Sequence, residues 1–242
     1  MKRLSLILWI VVALASFLTA CQPSPPEISP QLDPLLVQIT PASRPVIPAV
    51  QACGKLLPNV DLRLMERFAA QAEPGLLIRL GEPDADGGFL AQIASEEIAV
   101  VFHQENPAGS LTVDQIRELF TGQTTSWGEA GEGASPVSVW ALYPGDEAQQ
   151  AFEAQLLAGV PLVSSADLAP DPEALREAVA ADPAAIGLLP SAWVAEGLKS
   201  TLVGIRLPVL IASSQPLDGP AAELAACLQG ETGQAILSAI YP

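Results

Sequence analysis

The sequence predicts an α/β fold, and three observations carry that prediction. Short β-branched or alternating runs recur along the chain: LLVQIT at 35–40, DLRLMER at 61–67, LLIRL at 76–80, IAVVF at 98–102 and PVSVWAL at 136–142. Segments with helix start and stop signals lie between them. Half of the 242 residues are apolar, enough to bury one large core or the cores of two smaller lobes.

Taken in order, the chain begins with Lys2 and Arg3 ahead of an apolar run, Leu4 to Leu18, as an export signal does. Leu18-Thr19-Ala20-Cys21 resembles a bacterial lipobox. That resemblance implies a signal peptide over 1–20, cleavage before Cys21 and lipidation of its thiol, with the membrane as a partner. Residues 21–34 are proline-rich and aperiodic and read as a tether. The run 35–40 is the first strand. In the segment after it, Val46, Val50 and Cys53 fall at helical spacing and Ser43 is a possible N-cap. Thr40 and Ser43 are of the residue types that cap such a turn. Arg67 and Arg79 read as strand-face charges, solvated or paired with Glu66 or Glu82. Continuous apolar character over 98–102 predicts a strand buried on both faces. His103, the single histidine, has no Asp, Ser or Cys placed beside it and reads as a local hydrogen-bonding group.

The stretch 111–160 is the best signalled. Thr112 and Gln115 form a capping box, with Leu111 and Ile116 as a staple, and Gly122 closes the helix. Strand 136–142 leads to a Tyr143-Pro144-Gly145 turn, and Asp146 caps a helix carrying Phe152, Leu156 and Leu157. Asp171 caps another, with Pro172 at its first position and Leu175 and Val179 on its inner face. Residues 204–213 read as a strand made an edge or crossover piece by Pro208, and helices from Pro220 close the chain.

A net charge of −16 excludes nucleic acid as a partner. The acidic 81–88 loop lacks the bidentate Glu of a calcium site, no spacing suggests another metal or cofactor, and no nucleophile–base pair suggests an enzyme. Outside the cytoplasm, the even remainder Cys53 and Cys227 suggests a disulfide, with two buried free thiols as the alternative.

The order Leu111-Thr112 … Leu119-Phe120-Thr121-Gly122 … Ser126-Trp127, then strand, turn and Phe152, resembles the phosphate-binding, substrate-binding proteins of ABC importers, which have the type 2 periplasmic-binding fold. DPAAIGLLP at 182–190 resembles a segment near that family's interlobe cleft. The resemblance implies two lobes, each a mixed sheet flanked by helices: 35–104 plus 203–242, and 105–202. It implies a small polar solute or oxyanion held between them, delivery to an ABC permease, and ligand-binding positions at Thr40, Ser43, Asp146 and Gln149. The family's Ser-Gly-Thr-Arg turn reads Asp146-Glu147-Ala148-Gln149 here, and Leu188 replaces an aromatic. The expected ligand is therefore phosphate-like or a less charged polar solute. An interaction or sensory lipoprotein with no solute is the alternative.

Overall fold

The structure, a computed structural model, describes residues 32–69, 75–83, 88–130 and 135–241. The expectations for the signal peptide, for Cys21 and for tether residues 22–31 lie outside the described residues.

The strands are β1 (Asp33–Ile39), β2 (Val60–Glu66), β3 (Leu76–Leu80), β4 (Phe89–His103), β5 (Ser138–Leu142), β6 (Asp167–Ala169), β7 (Ala185–Pro190) and β8 (Leu198–Ser213). They form one mixed sheet in the order β2-β1-β3-β8-β4-β7-β5-β6. Two long strands at its centre serve both halves. The first stretch of β4, from Phe89 to Glu97, pairs with β8 from Arg206 to Ser213. Beyond the register shift between Glu97 and Ala99, β4 takes Leu198–Leu202 of β8 on one side and β7 on the other. That position inside the sheet explains the apolar 98–102 run: Ile98, Ala99, Val100 and Val101 are each 0% exposed.

The helices are α1 (Ile47–Gly54), α2 (Val113–Thr121), α3 (Trp127–Ala130), α4 (Glu147–Phe152), α5 (Pro172–Ala181), α6 (Gly219–Gln229) and α7 (Glu231–Ile240). Their ends follow local chemistry. Thr112 and Gln115 make both bonds of the capping box, and Gly122 closes α2 at φ 73°, a conformation glycine adopts without a Cβ clash. Asp171 accepts from the Ala174 N–H at the start of α5. α5 lies close on β7 because Gly187 leaves room: a Cβ there would stand 2.7 Å from Leu175 Cδ2. Trp127 is fully buried, donates from Nε1 to the Ala184 carbonyl at 3.0 Å and stacks at a tilt on Phe102. In the other half, Cys53 of α1 and Cys227 of α6 are joined by a disulfide.

The structure differs from the sequence reading in three places. β1 starts at Asp33, two residues inside the expected tether. It pairs with β3 only from Val37 on, so Pro34 sits on a locally free edge that tolerates it. Ser43 caps no helix. It lies inside a 3-10 turn, Pro41–Val46, whose two prolines delay α1 until Ile47. β8 is a sixteen-residue central strand and not an edge piece. Pro208 is accommodated opposite Ser95, between the two register shifts of the β4–β8 ladder, and its carbonyl accepts from the Gly81 N–H at 2.9 Å.

Candidate functional site

Two turns meet where the halves of the sheet touch. On one side β1 ends and the 3-10 turn begins. Thr40 N–H donates to the Ile78 carbonyl at 3.0 Å, and its hydroxyl donates to Ser43 Oγ at 3.2 Å. Both residues are fully buried. On the other side β5 runs into the Tyr143-Pro144-Gly145 turn and α4. Asp146 Oδ1 accepts from the N–H groups of Ala148 and Gln149 at 2.9 and 3.3 Å, an N-cap of the kind worth about 1 kcal/mol.

The residue that reaches between the turns is Glu147. Its side chain is buried, with Oε1 3.9 Å from Arg79 Nε at the end of β3. Arg79 Nε also donates to the Leu80 carbonyl at 3.3 Å. Burial and the neighbouring Asp146 charge push the Glu147 carboxyl up to about 8; its own main-chain N–H, Arg79 and the Thr40 hydroxyl offset this only in part. Burial likewise raises Asp146 to about 6, against the two capping N–H bonds, with Asp171 adding to the rise. Thr40 and Arg79 are near Glu147 without forming a hydrogen bond of good geometry. Both Glu147 oxygens and Asp146 Oδ2 are buried and unbonded among the described residues.

A second set of contacts bridges the same two halves. Arg44, in the 3-10 turn, grips Glu66 of β2 through two bonds of 2.6 and 2.8 Å. It also reaches Asp171 at 3.2 Å and Glu173 at 2.9 Å, at the start of α5. Its guanidinium lies 5.0 Å over Trp193, whose Nε1 donates to the Ala42 carbonyl at 2.9 Å. Phe68 and Tyr143 pack at 5.4 Å across the rim. The buried meeting point is thus bounded by the ends of β1 and β3 on one side and the starts of α4 and α5 on the other. Ligands of open α/β sheets are held at such strand C-termini and helix N-termini.

A sequence profile described as a PBP superfamily domain matches residues 83–228, more than half of the chain. The chain belongs to the PBP superfamily. Its fold is similar to that of a putative phosphate ABC transporter substrate-binding protein with bound phosphate from Clostridium perfringens, at 18% identity and a TM-score of 0.75 over 86% of this chain and 98% of that one. It is also similar to an ABC-type phosphate transport receptor from Vibrio cholerae, at 15% identity and a TM-score of 0.64 over 84% and 98% of the two chains. A mutant OxyR2 regulatory domain from Vibrio vulnificus, sulfate-bound, matches at 13% identity and a TM-score of 0.59, over 86% of this chain and 98% of that one.

At this meeting point the expected residues part company. Thr40 and Asp146 stand beside Glu147, and Ser43 is one hydrogen bond behind Thr40. Gln149 turns back into its own half, accepting from Leu142 N–H at 3.0 Å and donating to Glu153 at 2.7 Å. Arg44 carried no signal in the sequence. Glu147 stands in the turn that replaces the family's Ser-Gly-Thr-Arg, without any sign that it would be enclosed. Arg79 was expected on a strand face beside Glu66 or Glu82, and instead turns toward Glu147. Arg44 takes Glu66, and its other partners lie 127 and 129 residues away.

Proposed function

We propose that this chain is a lipid-anchored, extracytoplasmic solute-binding protein that captures a small polar solute, less charged than phosphate, and passes it to an ABC permease. The jaws would be residues 35–104 with 203–242, and 105–202. Cys21 would carry the lipid at the outer face of the cell membrane, and the long strands β4 and β8 would flex between the jaws. The reading is supported by superfamily membership and by the likeness to proteins described as phosphate transport receptors. The observation that carries it is the convergence of the Thr40–Ser43 turn, Arg79 and the start of α4 on one buried point between the halves. Thr40, Ser43 and Asp146 would contact the solute, with Gln149 bracing the turn. No covalent chemistry is assigned, since binding and release need none.

The low-charge preference follows from the residues present. A dianion moved out of water costs several kcal/mol unless dense donors or positive charge receive it. Arg79 is the cation placed here, and the Glu147 side chain already lies 3.9 Å from it. The second reading, an interaction or sensory lipoprotein with no solute, is favoured by the Glu147 side chain filling the meeting point. The test is thermal unfolding of the full-length protein in detergent, followed by tryptophan emission, against phosphate, sulfate, molybdate and a panel of neutral polar solutes. A native-state ligand at a hundred times its Kd adds about 2.7 kcal/mol. A rise in Tm with a neutral solute, larger than with any oxyanion, is expected. No rise with any of them would favour the second reading.

A further inference from the structure

We infer that the meeting point of the two turns retains the framework of an oxyanion site and that the side chain of Glu147 is its built-in occupant, the residue that shuts phosphate and sulfate out. The inference rests on that point being the functional site proposed above.

The geometry argues it in three steps. First, groups suited to an anion face the Glu147 carboxyl: its own main-chain N–H at the start of α4, the Thr40 hydroxyl and the Arg79 guanidinium. An external carboxylate, sulfate or phosphate would seek the same groups. Second, the occupant is inside. Glu147 is 5% exposed, and neither of its oxygens has a hydrogen-bond partner among the described residues. A carboxyl group that could swing into water would recover its hydration. This one is enclosed by the β1 turn, the end of β3 and Asp146. Third, Arg79 is already engaged: its Nε stands 3.9 Å from Glu147 Oε1, so an external anion can pair with that cation only once the Glu147 side chain is gone.

A smaller residue at 147 removes both the bulk and the acid while leaving the Asp146 cap, Thr40 and Arg79 in place. The experiment uses the full-length protein in detergent and follows tryptophan emission during heating, with inorganic phosphate and then sulfate as probes. Wild type, Glu147→Ala and Glu147→Ser are compared, each checked for native far-UV dichroism. Two short replacements are used so that a folding defect in one leaves the other to report.

The expected result is a wild-type Tm that neither anion moves and a Tm of Glu147→Ala or Glu147→Ser that climbs with phosphate and saturates. A wild-type Tm that rises with phosphate as much as the variants' would overturn the inference. So would folded variants that stay indifferent to both anions. The solute-binding proposal fails separately, when wild type ignores the neutral panel. A wild type blind to every solute, together with a phosphate-responsive Glu147→Ala, supports the built-in occupant and removes the transport reading.

Discussion

Replacing both Cys53 and Cys227 by alanine is expected to lower the unfolding free energy by about 5 kcal/mol, from the entropy that the closed loop withholds from the unfolded chain. The bridge spans a sequence separation of 174 and ties α1 to α6, so it links the start of the folded body to its end. Proteins of this size are stable by about 5–15 kcal/mol in total, so the loss would take a large share of the whole. Urea unfolding of the double variant, which cannot reshuffle thiols, measures it. The midpoint should fall well below that of wild type. Equal midpoints would mean that the bridge contributes nothing to stability.

Phe152→Ala is expected to cost about 3–5 kcal/mol, the range for deleting a fully buried aromatic ring. Phe152 is 0% exposed, and its ring meets Phe120 edge-on at 4.7 Å between centroids. This contact fastens α4 to α2 and so fixes where Asp146 and Glu147 stand. α4 is only six residues long before it widens into the Glu153–Leu157 π-turn. So short a helix has little intrinsic stability and depends on the packing of its apolar face. Urea unfolding again gives the magnitude. A loss below about 1 kcal/mol would show that the neighbourhood collapses to fill the space, as well-accommodated cavities do.

The parts of the fold legible in the sequence are those decided within a few residues. Thr112 with Gln115, Gly122, Asp146, and Asp171 with Pro172 all end or begin helices as their local chemistry dictates. His103 accepts from the Glu105 N–H at 3.0 Å through Nδ1, the local bond expected of it. The illegible parts depend on distant partners. Nothing near Pro208 announces that β4 shifts register twice alongside it. The three-residue strand β6 is too short to show a period and exists because β5 supplies its ladder. The candidate site divides in the same way. Thr40, Ser43 and Asp146 are proposed from the turn positions of the resembled family. What the turn does not announce is that the β1 and β3 ends cover Glu147, or that Arg44 binds α5 across more than half of the chain.

The pH dependence of stability reports on the same point. A carboxyl group whose folded pKa lies above its unfolded value binds its proton more tightly in the folded state. Its contribution is therefore complete below pH 4.5 and is lost as pH rises through about 8. Asp146 adds a smaller loss with the same sign between 3.8 and about 6. Carbon-13 NMR of the protein labelled at glutamate carboxyl carbons reads Glu147 directly, with Glu147→Gln assigning its resonance. If Glu147 is enclosed between the two turns, its resonance titrates with a midpoint near 8, far from the exposed glutamates. A midpoint at the ordinary 4.5 would place the carboxyl in water and contradict its enclosure.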